Sequence, residues 1–538
     1  MRPTLLDPET INRYLSDGYW TRATMVGRYE IYARERSGGL ACQDNHKRYT
    51  WGQLHETTDR LAANLIALGL SRDSRALVQM PTSSREIVLR IALKKAGIIG
   101  AYVPVQWRRK ELSYVLDRIE PDLVVLASDE MEANEVDWLD DQYANGVGFG
   151  HLIDLASNSR DNWVAWGDLT ARQPCAASLE QILSRRFAYN EVSLITVSSG
   201  TSGLAKLCEW PEAAQVCVGR GIAERLAVTA EDNIGMFAPM SGAAGALVWA
   251  ISGILPCSFT FPRTYRPDDL LSLVGRAGVT VATTVPVILA RLAQEPLEDY
   301  DLALLRVLRV GTAAANMEAA IAFENGSGCK VVVASGSMEC PGFGHAHVDE
   351  PKETRLDGST GLPLPGCRLW IVGDHDGELP IGEAGELQVS APFASSGYWR
   401  DEEATNAVWS DGRYATGDIG ALDENGRLTL LGRLNEVINR SGYKILPIEL
   451  EQEIARHPDV FDCAVIAVPD EEYGEVPWAF IQPHMNKRID PDKVSDFLGA
   501  RGMASYKIPV RIIELVKLPR ISGSKLDKKE LLKLTLDE

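Results

Sequence analysis

A chain of 538 residues with 45% hydrophobic and 24% charged side chains has room for three or four structural units, and the balance is that of a soluble globular enzyme. The formal charge of −19 argues against nucleic acid or an anionic membrane as the main partner. Its nine cysteines form no Cys-x2-Cys pair and no Cys/His cluster, which argues against a zinc site or a disulfide framework and points to free thiols in a reducing compartment.

The first residues lack an apolar signal core, so the expectation is a cytoplasmic protein. Thr50 is placed to cap a helix over 52–68, where Leu54, Leu61, Leu65 and Leu68 recur at intervals of three and four. The pattern then predicts a strand at 76–80, a helix at 83–95, a strand at 98–103, a helix at 111–119 and a strand at 123–126. Alternation of this kind implies parallel pairing and an α/β layer. Residues 128–190 are acidic and irregular and read as a variable peripheral segment.

At Ile195-Thr-Val-Ser-Ser-Gly-Thr-Ser-Gly-Leu-Ala-Lys206 a short strand, 193–197, runs into a burst of Ser, Thr and Gly that ends in lysine. Gly200 and Gly203 allow a tight fold that turns amides inward. Ser198, Ser199, Thr201 and Ser202 add hydroxyl donors, and Lys206 adds a cation. A loop handling a triphosphate or pyrophosphate needs these groups. It is not a Walker loop, since Ala205 stands where glycine would be required.

A helix follows at 213–226, then strands near 233–238, 280–283, 307–310 and 330–333, a second α/β layer over about 190–350. The apolar window 242–256 is short for a bilayer span of ~20 residues and reads as a buried helix. From Gly361 short strands at 369–372, 386–389 and 428–431, separated by Asp-Gly and Asn-Gly turns, suit a small antiparallel barrel over about 355–432. Beyond Arg433 the texture becomes α+β, with a helix at 448–455, a strand at 463–468 and a helix at 491–498. The expected division is an N-terminal domain, 1–433, with layers at about 15–190 and 190–350, and a small mobile domain, 434–538.

Three further stretches stand in register with the loop: Tyr414-Ala-Thr-Gly-Asp418 after Gly397-Tyr-Trp399; Gly432-Arg-Leu-Asn-Glu-Val-Ile-Asn439 with Gly442-Tyr-Lys444; and Pro519-Arg-Ile-Ser-Gly-Ser-Lys525. In this order and spacing the chain resembles the adenylate-forming superfamily of acyl- and aryl-CoA synthetases, peptide-synthetase adenylation domains and luciferases. Gly18-Tyr-Trp20 and Lys525-Leu-Asp-Lys-Lys529 resemble its aryl-acid branch. The resemblance implies joining a carboxylate to ATP, releasing pyrophosphate, and passing the acyl group from the adenylate to a thiol, that of coenzyme A.

It also implies roles for single residues. Asp418 accepts from the ribose hydroxyls, Arg433 contacts ribose or phosphate, and Lys525 bridges the carboxylate and the α-phosphate. Lys206 and the loop hold phosphate, Glu339 holds Mg2+, and Gly311, Thr312 and Ser335 lie beside the nucleotide. Gly442 leaves space for the pantetheine arm, and Asn435 is the hinge. Ser241, Gly242, Ala243, Gly245, Ala313 and Gly336 border the acyl pocket. Their small size implies a bulky, largely apolar ring-containing acid, and with no cation evident among them a second carboxylate should be poorly tolerated.

Departures leave other readings open. Ser335-Gly-Ser-Met-Glu339 lacks the aromatic residue that would stack on adenine, a contact worth roughly 1–3 kcal/mol, and Ala205 replaces a proline. One alternative is weak adenylation that depends on acyl-AMP from a partner adenylating enzyme. Another is transfer to a carrier-protein phosphopantetheine, and a third is a non-catalytic nucleotide- or acyl-binding relative. A homodimer is compatible with all of these.

Overall fold

The computed structural model describes residues 4–145, 149–156, 160, 163–198, 205–311, 316–373, 377–521 and 525–535. Helix Trp51–Ala67 begins where the capping residue places it. Thr50 accepts from the Gln53 amide, Gln53 returns a bond to the Thr50 amide, and Leu54, Leu61 and Leu65 are buried.

Two open sheets form the large domain. The first has seven strands in the order Val164–Ala165, His151–Asp154, Leu123–Leu126, Arg75–Gln79, Ile99–Tyr102, Val192–Ser198 and Lys206–Pro211, all parallel but the last. The second has eight: Pro341–His345, Lys330–Gly336, Val307–Val310, Val281–Thr284, Asn233–Met236, Ser258–Thr260, Leu40–Gln43 and Arg48–Thr50. Its six central strands are parallel and both edge strands are antiparallel. The strands therefore do not sort at residue 190. The early hairpin 40–50 joins the second sheet, and the loop's strand joins the first.

The segment 128–190 corrects the expectation of an irregular periphery. It supplies helices Ala133–Ala144 and Ala176–Arg185 and the last two strands at one end of the first sheet, His151–Asp154 and the edge strand Val164–Ala165. The window 242–256 is buried over 244–253, but it is a glycine-punctuated turn followed by a 3-10 helix, Val248–Gly253, not the buried helix expected. Cβ atoms at Gly245 and Gly253 would run into Pro239 O and Met25 Sδ, so a regular helix of larger residues would not fit.

Helix Ser84–Ala96 touches strands of both sheets and, apart from Arg85, is buried, with Glu86, Arg90, Lys94 and Lys95 inside. Arg90 bonds Glu86 at 2.7 Å. Lys94 pairs with Glu212 on helix Glu212–Arg225 and donates to Ser193 at 2.6 Å and Gln215 at 2.9 Å. Buried charge is tolerated because it is paired and hydrogen-bonded.

A five-stranded antiparallel sheet follows. Arg368–Val372, Gly385–Ser390 and Arg413–Leu422 run in order, with Trp409–Ser410 and Leu428–Arg433 both paired to the third. Where a small barrel was expected, no ladder closes this sheet among the described residues.

The small C-terminal domain has its own cores. Cys463 and Val465 face one cluster with helices Pro447–Ile454 and Pro491–Ala500, while Ala464, Ile466 and Val468 face another with Leu518 and Leu531. This is the period of two of a strand covered on both sides.

Candidate active site

The strands on either side of the candidate phosphate loop, Val192–Ser198 and Lys206–Pro211, are paired antiparallel. Ser198 pairs with Lys206 across the loop's base, while Ser199, Gly200, Thr201, Ser202 and Gly203 lie outside the described residues. The segment 396–399 lies along the second of these strands, with Glu209 N donating to Gly397 O at 2.9 Å and Trp399 N to Leu207 O at 2.7 Å. Tyr398 is thereby placed under Lys206, whose Nζ lies 4.9 Å from the ring centroid. The Tyr398 hydroxyl donates to Glu339 Oε1 at 3.0 Å, and Glu339 is only 5% exposed. Burial, and then the Glu339 charge, push the Tyr398 hydroxyl well above its ordinary range, so it stays a donor. A cleft of about 160 Å³ opens beside it, lined in part by Arg118, Ala205, Lys206 and Trp399.

Tyr398 packs edge-on against Trp409 at 5.1 Å, and Trp409 meets Tyr414 at 4.7 Å. Tyr414 stands on the strand that carries Asp418, and burial and Glu339 push its hydroxyl up as well. Asp418 sits opposite Arg433 in the ladder, and Arg433 Nε reaches its Oδ1 at 2.8 Å. Gly417 takes φ 70°, the left-handed region, and Asp418 N donates to Thr416 Oγ1 at 3.0 Å. Lys206, Glu339, Asp418 and Arg433 thus belong to one cluster strung on three aromatic rings. The rings are what sequence reasoning missed, although Tyr398 and Tyr414 stand inside the motifs that carried the resemblance.

For Mg2+, no group of three His, Cys, Asp or Glu able to hold a metal exists among the described residues. A single buried carboxylate suits an ion that takes its other ligands from phosphates and water. Glu339 fits, with one oxygen fixed by Tyr398 and the other without a hydrogen bond among the described residues.

On the acyl side, Ser241, Gly242 and Ala243 are partly exposed, Gly245 and Gly311 are buried, and Thr312 and Ala313 lie outside the described residues. Cβ atoms at Gly245 and Gly336 would strike Pro239 O and Gly342 N, so these two glycines admit backbone, not ligand. Ser335 is buried and its hydroxyl turns to Gly344 O at 3.4 Å. Between the two small-residue segments lies a cation that the sequence did not disclose. Arg309 is 5% exposed and donates through Nη1 to Ala244 O at 3.3 Å. Arg309 is not one of the small residues among which no cation was evident, but it lies beside them. It stands two residues before the small-residue segment that begins at Gly311, inside a strand that reads as plain apolar core.

In the small domain, Gly442 forms a two-residue hairpin turn with Ser441, both at positive φ, and is exposed. Asn435 is exposed in the 3-10 turn Leu434–Glu436 that directly follows Arg433. Lys525 pairs through its backbone with Ile521, and its side chain lies outside the description. Lys528 is not part of a solvated charge run, because it bridges Glu436 at 2.8 Å and Glu451 at 3.1 Å.

Residues 30–399 match the family described as AMP-binding enzyme, and residues 449–525 match the AMP-binding enzyme C-terminal domain. Triostin synthetase I of Streptomyces triostinicus is 30% identical over 533 residues, 96% of each chain. The 2,3-dihydroxybenzoate-AMP ligase of Bacillus subtilis (strain 168) is 27% identical, covering 97% of this chain and 96% of its own. Among solved structures, the anthranilate CoA ligase AuaEII in complex with anthranoyl-AMP superposes with a TM-score of 0.85 at 20% identity, covering 96% of this chain and 98% of its own.

Proposed function

The chain belongs to the AMP-binding enzyme family of adenylate-forming ligases, and on that premise we propose that it is an acid–thiol ligase converting a bulky, ring-containing carboxylic acid to its coenzyme A thioester. The observation that carries the reading is the cluster itself: Lys206, Glu339 and the Asp418–Arg433 pair, drawn from separate motifs, linked through Tyr398, Trp409 and Tyr414.

In the first half-reaction a carboxylate oxygen attacks the α-phosphorus of ATP, the bond to the bridging oxygen breaks, and pyrophosphate leaves. Lys206 and Lys525 offset the charge that develops on the phosphoryl oxygens. Asp418 accepts from ribose hydroxyls, and Arg433 holds it in place. Glu339 would hold Mg2+, which lowers the charge of the nucleotide phosphates. In the second half-reaction the thiol sulfur attacks the acyl carbon and AMP departs with the bonding pair. The hairpin at Gly442 gives the thiol arm a side-chain-free approach. Helices and loops within 1–433 then bind nucleotide and acid, and 434–538 moves about Asn435.

A second reading, weak first-step catalysis on acyl-AMP made elsewhere, is favoured by one observation. Ser335 offers adenine no ring and is turned to Gly344 O. Incubation with a panel of aromatic and alicyclic acids, ATP and coenzyme A, read by mass spectrometry, should yield both acyl-AMP and acyl-CoA. Thioester from synthetic acyl-AMP alone would move the account to the second reading. Neither product from any acid would overturn both. A carrier protein as acceptor would show as acyl-AMP that coenzyme A fails to consume.

A further inference from the structure

Strand Val307–Val310 enters the second sheet between Val281–Thr284 and Lys330–Gly336, where every side chain is buried. Arginine is an unusual choice there, because a buried charge is costly unless a counter-charge meets it. Among the described residues Arg309 has none. Its Nε donates to His345 Nε2 at 3.3 Å, and its Nη1 donates to Thr283 Oγ1 at 3.2 Å and Ala244 O at 3.3 Å. All three acceptors are neutral. His345 is held neutral as well, since its Nδ1–H donates to Ala346 O at 2.8 Å, which leaves Nε2 as the lone-pair acceptor. Burial, and next the Arg309 charge, hold His345 well below the ordinary imidazole range, while Arg309 itself, pulled down by burial alone to about 10, remains charged at neutral pH.

The hydrogen bonds of the fork among the described residues all run through Nε and Nη1. Nη2 makes no hydrogen bond among the described residues, and a Cβ built on Gly311 would lie 3.5 Å from it and 3.3 Å from Nη1. The guanidinium is thus flanked by Gly311 on one side and Ala244 on the other, the two small-residue segments that border the candidate acyl pocket. It also lies further down the strand than Gly311, on the side away from the strand's carboxyl end, where ligands of open α/β sheets bind.

We propose that Arg309 is the specificity-determining residue of the acyl pocket, and that the acid carries a second carboxylate, remote from the one that is activated, which the guanidinium receives. Nη2, which makes no hydrogen bond among the described residues, and the shared Nη1 form the edge that a carboxylate engages with two parallel bonds. The missing side chain of Gly311 leaves that edge open, and the incoming charge supplies the counter-ion that the sheet withholds. This inference rests on the acid-activating reading above and narrows its substrate class to ring-containing dicarboxylic acids.

The test compares phthalate, isophthalate and terephthalate with their methyl twins, 2-, 3- and 4-methylbenzoate, as sole acids with ATP. Acyl-AMP formation is followed in the full-length protein and in Arg309→Met and Arg309→Lys. At least one dicarboxylate should exceed its twin tenfold or more in kcat/KM. Arg309→Met should invert that ratio, chiefly through KM, and Arg309→Lys should restore part of it. Twins that outperform all three dicarboxylates in the unmodified protein, or an Arg309→Met variant that lowers both members of a pair equally, would overturn the proposal and leave acid activation standing. Equilibrium dialysis of the same six acids decides the matter without turnover. Binding of a dicarboxylate that Arg309→Met abolishes supports it, and binding unaffected by the variant, or absent from the unmodified protein, overturns it.

Discussion

Asp418 has one oxygen held by Arg433, so in the ribose-binding role proposed for it the carboxylate is fixed before a ribose arrives. That arrangement separates the two residues' contributions. Asp418→Asn should keep the strand, because the Thr416 hydroxyl bond to the Asp418 amide does not use the side chain. It should lose charge-assisted acceptance, worth about 1.5–3 kcal/mol, and weaken ATP binding by roughly 10- to 150-fold. An unchanged ATP affinity by calorimetry would remove Asp418 from the nucleotide site. Legibility at this scale follows motif density. Asp418, Arg433, Glu339 and Lys206 stand in polar, glycine-marked stretches where a side chain's chemistry is conspicuous. Arg309 stands in Val-Leu-Arg-Val, where the strand pattern masks it and only three-dimensional proximity to Ala244 and Gly311 reveals it.

Strands with sharp boundaries were readable for a physical reason. Leu123–Leu126 and Val307–Val310 fall where expected because β-branched and leucine residues crowd a span bounded by polar breakers. The strands His151–Asp154 and Val164–Ala165 escaped, being short and set in acidic sequence: the first is held by pairing with Leu123–Leu126, and the second, at the sheet's edge, by pairing with the first, rather than by their own pattern. The strand Pro341–His345 escaped too, although it carries the histidine that faces Arg309. That strand gives the fold a pH dependence. His345 titrates below its ordinary value of 6.5 in the folded chain, chiefly through burial. Between the folded and unfolded values the unfolded state binds the extra proton, so stability is fully present above 6.5 and is lost as the pH falls. Over the first unit below 6.5 this single group should remove about 1 kcal/mol. Thermal melts at pH 7.5, 6.5 and 5.5 should show a smaller acid-side loss for His345→Gln than for the unmodified protein. Parallel curves would mean that His345 takes up its proton in the folded state.

At the scale of the whole molecule, the cluster proposed to bind nucleotide lies on the large domain, while Lys525 and the Gly442 hairpin lie on the small one, in elements about eighty residues apart. If Lys525 serves adenylation and Gly442 the thiol step, the two cannot occupy the same place at once, and a rotation must exchange them. The exposed turn at Asn435 is where that rotation costs least. It follows Arg433 directly, and on its far side Glu436 is tied to Lys528, so Glu436 travels with the small domain. Burial lowers Lys528, but Glu451 and Glu436 outweigh it and hold its value above the ordinary range, so the tie persists at neutral and mildly alkaline pH. Proline at 435 fixes φ and should trap one arrangement. The most direct measurement is rapid chemical quench of the unmodified protein and of Asn435→Pro with ATP, a turned-over acid and coenzyme A, counting acyl-AMP and acyl-CoA in the same samples. The account predicts that acyl-AMP rises before acyl-CoA in the unmodified protein and that Asn435→Pro slows one of the two steps far more than the other. Acyl-CoA that forms with no preceding acyl-AMP, or equal slowing of both steps, would contradict it.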